Sequence, residues 1–261
     1  MRQLFTMRLL RFAGLLILGT LVLNGCRSGP REDPILRYST EEALAEGKSL
    51  MERKKYFRAR RFLNHAFEVE PNSRSGREAL LLAADAYYRQ GGTDNYIKCE
   101  AKYRDFINRF PTSDKADYAQ YQIANCLAAR VEKPDRDQGV TQEALASFQE
   151  LLRLYPTSPY SSEARARIQE LLDRLAAHEV VVARFYLKYA RGGLCVAAIN
   201  RLEPIENEFP GYAKMDEVYS ELTRAYHRCK RTEDAEATYE KLRENYPGSS
   251  YLPELEKLIR N

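Results

Sequence analysis

By residue type, the side chains that could do chemistry here are three histidines and five cysteines. His65, His178 and His227 are scattered along the chain, and no Gly-rich phosphate loop, GxSxG elbow or HExxH helix accompanies them. Hydrolysis, phosphoryl transfer and zinc catalysis all lack their parts, so the sequence reads as a non-enzyme without a cofactor. Cysteine offers different chemistry. Cys99, Cys126, Cys195 and Cys229 have neither CxxC nor zinc-site spacing, and each falls within an apolar helical pattern. They read as buried free thiols, with Cys195 and Cys229 the first pair to test for a disulfide.

The fifth cysteine ends a segment unlike the rest. Arg2, Arg8 and Arg11 precede an apolar run from Phe12 to Leu23, the layout of a secretory signal. The run is too short for a bilayer core that needs about 20 residues. It closes Leu23-Asn24-Gly25-Cys26, which resembles the bacterial lipobox, with Asn24 polar where the motif takes a small or aliphatic residue. That resemblance implies cleavage before Cys26 and a covalent lipid on it, held by about 0.8 kcal/mol per buried CH₂. Arg27 stands where an aspartate holds many enterobacterial lipoproteins at the inner membrane, which points to the outer membrane. Without the three signal arginines, 38 of the 41 basic residues remain against 37 acids. So nearly neutral a chain carries no charge signal for nucleic acid.

The elements that position everything else are set by five prolines. Each ends a helical run, at Glu70-Pro71, Phe110-Pro111, Tyr155-Pro156, Phe209-Pro210 and Tyr246-Pro247. Twelve residues before each proline stand Ala59, Cys99, Ala144, Ala198 and Ala235, all small. Eight before stand Leu63, Tyr103, Phe148, Leu202 and Tyr239, and five before stand Ala66, Phe106, Leu151, Ile205 and Leu242. These columns resemble the second helix of the tetratricopeptide repeat, where a small residue lets two helices approach. Gly47 with Leu50, Ala84 with Tyr87, Ala124 with Leu127 and Thr223 with Tyr226 fit the first helix.

The expected fold is therefore all-α, a right-handed solenoid of five helix pairs with a C-terminal capping helix starting near Ser250. The prolines are more than 34 residues apart. The excess is assigned to 90–95 and 133–139, and to a long helix from about Ser161 to Ala190 that stops at Gly192-Gly193. Pro204 should kink the second helix of repeat four. The organisation expected is a signal peptide at 1–25, lipidated cysteine and tether at 26–38, repeats one to three at 39–158, and repeats four and five with the cap at 159–261. In such repeats the first helices line the concave side. That register turns Leu44, Met51, Leu81, Asp85, Tyr88, Tyr118, Tyr121 and Asn125 toward a groove, for which an extended, aromatic-rich segment is the expected ligand.

A narrower resemblance follows from Arg136-Asp137-Gln138, Glu143-Ala144 and Tyr155-Pro156-Thr157-Ser158-Pro159-Tyr160. His178-Glu179, Val182-Ala183-Arg184-Phe185-Tyr186, Arg191-Gly192 and Ala197-Ala198-Ile199-Asn200-Arg201 extend it. These segments resemble the BamD family of outer-membrane assembly lipoproteins, from which Leu194, Cys195 and Pro204 depart. The resemblance implies a scaffold on the periplasmic face of the outer membrane. It would dock to the periplasmic POTRA domains of the barrel subunit BamA, sit with other assembly-machinery lipoproteins and receive unfolded outer-membrane proteins. Arg191, Asn200 and Arg201 are the docking candidates, with Arg201 pairing a partner carboxylate; its intramolecular alternatives are Glu203 and Glu206. A tetratricopeptide lipoprotein of another envelope system, a pilus pilotin or a Tol or peptidoglycan coordinator, would share the lipobox and the proline columns.

Overall fold

The computed structural model describes residues 33–189 and 194–260. The signal segment, Cys26, Arg191 and the Gly192-Gly193 stop lie outside them. The chain divides into two units, 1–38 and 39–261. In the first, a 3-10 turn at Pro34–Arg37 is capped by Asp33, whose carboxylate accepts the Ile35 amide at 3.1 Å.

The second unit is all helical among its described residues. Its pairs are α1 (Thr40–Glu52) with α2 (Tyr56–Val69), α3 (Arg74–Gln90) with α4 (Thr93–Arg109), and α5 (Ala116–Ala128) with α6 (Gly139–Leu154). The long α7 (Ser161–Lys188) pairs with α8 (Leu194–Leu202) and α9 (Ile205–Glu208), and α10 (Met215–Arg228) with α11 (Thr232–Asn245); α12 (Leu252–Arg260) closes the end. Successive helices pack on one another, as a tetratricopeptide solenoid requires. A capping box starts α1: Ser39 Oγ accepts the Glu42 amide at 3.3 Å, and Glu42 accepts the Ser39 amide at 2.9 Å.

All fifteen column residues are buried. The residue before each proline adopts nearly one conformation, φ from −130 to −138° and ψ from 57 to 75°, because proline excludes the α region for its predecessor. In four repeats that residue's amide still closes the last helical turn. Close approach also fixes two glycines. A Cβ on Gly47 would lie 2.6 Å from the Leu63 side chain, and one on Gly76 would lie 2.0 Å from the Glu70 carbonyl oxygen. Thr223, the polar member of the first-helix positions, is fully buried and spends its hydroxyl on the Tyr219 carbonyl at 2.8 Å.

Several local expectations change. The loop expected over 90–95 is only Gly91-Gly92, both at positive φ (74° and 91°), because Thr93-Asp94-Asn95 form the first turn of α4. The extra length of repeat two is therefore helix. At Pro204 the chain does more than kink. Helix α8 ends at Leu202 and Pro204 caps α9, yet Ala198, Leu202 and Ile205 keep their place in the core. The four cysteines are not free thiols: Cys99 is bonded to Cys126 and Cys195 to Cys229, with Cα atoms 6.4 and 5.6 Å apart.

The long helix explains the widest proline spacing. Ala164 and Leu171 join the apolar core of repeats two and three, while Ala176, Val180, Ala183 and Leu187 join that of repeats four and five. Between these halves it is braced by the 129–138 loop: Arg174 donates to the Glu132 carbonyl at 2.6 Å, and His178 Nδ1 meets the Pro134 carbonyl at 2.6 Å. Gln138 holds that loop closed. Its amide donates to the Lys133 and Arg136 carbonyls at 3.0 and 2.9 Å, and its carbonyl accepts from buried Thr141 at 2.8 Å.

Candidate peptide-binding face

Helices α3, α5 and α7 are the first helices of repeats two to four, and their shared face is rich in tyrosine. Tyr121 stacks on Tyr160 with ring centroids 4.7 Å apart and planes at 10°. Tyr118 leans on Tyr160 at 5.8 Å and meets Tyr103 edge-on at 6.2 Å. Tyr88 lies 5.8 Å from Tyr96. Tyr88, Tyr118 and Tyr160 stay half-exposed, whereas Tyr121 is 6% exposed and rests on Phe148 at 6.2 Å. Aromatic surfaces that are rigid on one side and open on the other suit stacking with another aromatic group.

Beneath the rings sits a buried carboxylate. Asp85 accepts from the hydroxyls of Tyr103 and Tyr118, the latter at 2.7 Å. Burial raises the Asp85 carboxyl above its ordinary value, and the two hydroxyls pull the other way. Burial and then Asp85 itself push the Tyr118 phenol upward, and burial with the Glu163 carboxylate pushes Tyr121 up to about 12. All these phenols stay protonated at neutral pH; with its proton spent on Asp85, the Tyr118 hydroxyl meets a bound main chain as an acceptor. Arg167, half exposed on α7, pairs with Glu170 at 2.9 Å and acts on Tyr88 and Tyr121.

A raised carboxyl value means that the folded chain binds the proton more tightly than the unfolded one. The stability tied to Asp85 is thus complete below the ordinary carboxylate value of about 4 and is lost as pH rises through the raised one. Asp85→Asn does not titrate. Thermal unfolding at a series of pH values should show the natural chain losing stability relative to Asp85→Asn as pH climbs from acid to neutral. A constant difference between the two would contradict the buried-carboxylate description.

The expected groove residues divide. Asp85, Tyr88, Tyr118, Tyr121 and Asn125 line one region, in which Asn125 donates to Gln122 at 3.3 Å. Leu44 and Met51, each 6% exposed, belong to a separate core that repeat one shares with the first helix of repeat two. Leu81, 8% exposed, borders a hollow of about 240 Å³ with Arg74, Arg77, Phe106 and Lys115. Tyr160, Glu163 and Arg167 were outside the residues read from sequence, because that reading closed the groove at the third repeat. The Pro159-Tyr160 turn leading into an uninterrupted helical stretch was the available signal.

Of the docking candidates, Asn200 and Arg201 share a hollow of about 380 Å³ with Glu179, Pro204, Ile205 and Glu208. Arg201 pairs with Glu179 at 3.1 Å, neither of the acids considered from sequence. Glu206 is held by Lys241 at 2.6 Å, and Glu203 accepts the Tyr226 hydroxyl.

A family model described as outer membrane lipoprotein, YfiO, matches residues 37–242. The chain belongs to the YfiO family. Relatives agree with the match. The chain is 29% identical over 223 residues to the outer membrane protein assembly factor BamD of Neisseria meningitidis, covering 82% of each. It is 27% identical over 250 residues to the BamD of Rickettsia prowazekii, covering 95% of this chain and 96% of that one. The BamD of Caulobacter vibrioides is 26% identical over 240 residues, covering 91% and 76%. Among solved structures, the TPR2AB-domain:pHSP90 complex of yeast Sti1 is similar at a TM-score of 0.46 and 17% identity, covering 82% of this chain and 80% of that one. This YfiO-family chain carries the BamD resemblance over most of its length, and no helix among its described residues is long and apolar enough to cross a membrane.

Proposed function

We propose that the chain is a non-catalytic scaffold of the machinery that assembles outer-membrane β-barrel proteins, anchored to the outer membrane through acylated Cys26. Repeats four and five dock the periplasmic domains of a BamA-like barrel subunit, and the tyrosine face receives unfolded outer-membrane proteins. The observation that carries this reading is the half-open aromatic face shared by three successive first helices, in a chain whose relatives bear the name of assembly factors. Such a face holds an extended segment by stacking and main-chain hydrogen bonds without folding it.

Arg201 serves docking because its exposed planar fork can leave the partly buried Glu179 for a bidentate partner carboxylate. The full chain, tagged and recovered from detergent extracts of its own cells, should bring down a POTRA-bearing barrel subunit. Arg201→Glu should lose that subunit, and Glu179→Gln, which frees Arg201, should keep it. Equal recovery with Arg201→Glu overturns the docking assignment, and absence of the barrel subunit from the natural chain's extracts overturns the reading as a whole.

A further inference from the structure

One stretch breaks the even spread of charge. From Arg53 to Phe67 there are six basic residues and no acid. Arg60 is turned inward, with its guanidinium 4.1 Å from the Tyr87 ring and 5.6 Å from that of Phe57, and Arg53 pairs with Glu46 at 3.4 Å. Lys54, Lys55 and Arg58 are exposed at the turn into α2 and make no ion pair among the described residues. Between them stands Phe57, 67% exposed, the barest large apolar side chain among the described residues.

The surface continues onto α4. Tyr87 lines a mainly apolar hollow of about 270 Å³ with Lys98, Ala101, Lys102 and Asp105. Ile97, next to Lys98, is 47% exposed. The second helices α2 and α4 of repeats one and two therefore present cations around exposed Phe57 and Ile97.

We infer that this surface lies on an anionic phospholipid bilayer, its cations on headgroup phosphates and Phe57 in the interface. The inference rests on the anchored reading above. Only residues 27–38 separate Cys26 from Ser39, a stretch that reaches about 45 Å when fully extended, so repeat one is held beside the bilayer that holds the lipid. A membrane surface attracts basic residues at a value of about fivefold in binding for each. An exposed phenylalanine among them adds burial in the interface and needs no shaped pocket.

The chain contains no tryptophan, so Phe57→Trp introduces a lone fluorescent reporter. The full acylated chain carrying it is reconstituted into vesicles of phosphatidylcholine alone, or with phosphatidylglycerol, using lipids brominated in the acyl chains. With phosphatidylglycerol, emission should move to shorter wavelength and most of it should be quenched, and about 1 M salt should reverse both. Adding Lys55→Glu, Arg58→Glu and Lys98→Glu should abolish the quenching, whereas Lys133→Glu, Lys214→Glu and Lys257→Glu should leave it. Phe185→Trp, at an exposed site on α7, should stay unquenched. Anchored Phe57→Trp protein whose emission is not quenched, or is quenched equally without phosphatidylglycerol, overturns the inference. So does a blue shift that appears only when barrel subunit is added, which would assign the surface to a protein. Protein that fails to float with any vesicle instead overturns the anchor, a separable result.

Discussion

Phe148→Ala is expected to cost about 3–5 kcal/mol of stability and to loosen the tyrosine face from behind. Phe148 is fully buried on α6, among the largest buried side chains among the described residues. It shares one apolar core with the small residues Ala124 and Ala144 of α5 and α6, and Tyr121 leans on it at 6.2 Å. Close-packed helices collapse only partly around a vacated ring, so the cavity adds its own cost to the lost transfer energy. Urea unfolding should show the loss in the midpoint with little change in slope, and hydrogen exchange should quicken in α5. A cost below about 1 kcal/mol would mean that repeat three is not held by this column.

Why that column could be read from sequence while other features could not is a matter of repetition and range. The small residue at Ala59 and the large apolar one at Leu63 recur in each pair because every pair must solve the same packing problem, and the following proline marks the register; the third column varies more, from Ala66 to Phe106. Thr93-Asp94-Asn95 misled for a local reason. These residues favour turns, but they also serve in the first turn of a helix, where Asn95 donates its side-chain amide back to the Gly91 carbonyl at 2.7 Å. The cysteines misled through the columns themselves. Cys99 occupies the small position, where a thiol is as good as alanine, and nothing local reveals that Cys126 on the neighbouring helix lies within bonding reach. Cys195 and Cys229 were paired in sequence only as neighbours of predicted helices, and their bond ties the start of α8 to the end of α10.

Distance along the chain hid the polar contacts too. Arg201 finds Glu179 across two helices, whereas sequence spacing offers only acids within a turn or so. The aromatic face was legible in part, since Tyr88, Tyr118 and Tyr121 follow from the first-helix register. Its far wall was not. Tyr160 precedes, and Arg167 stands on, a helix whose first half closes repeat three and whose second half opens repeat four, a double role that the proline spacing records only as excess length.

The most direct test of the scaffold account places a photo-crosslinker at Tyr88 and Tyr160, the half-exposed edges of the face, and at Leu154, 45% exposed on the second helix α6. The bait is a peptide from the C-terminus of an outer-membrane β-barrel protein, with and without its terminal aromatic residue. Stacking on the tyrosine face should give capture at Tyr88 and Tyr160 and none at Leu154. Removing the aromatic should lower capture on the order of tenfold, since an aromatic pair contributes up to about 1.5 kcal/mol beyond its burial. Capture at Leu154 alone, or capture indifferent to the aromatic, would contradict the account.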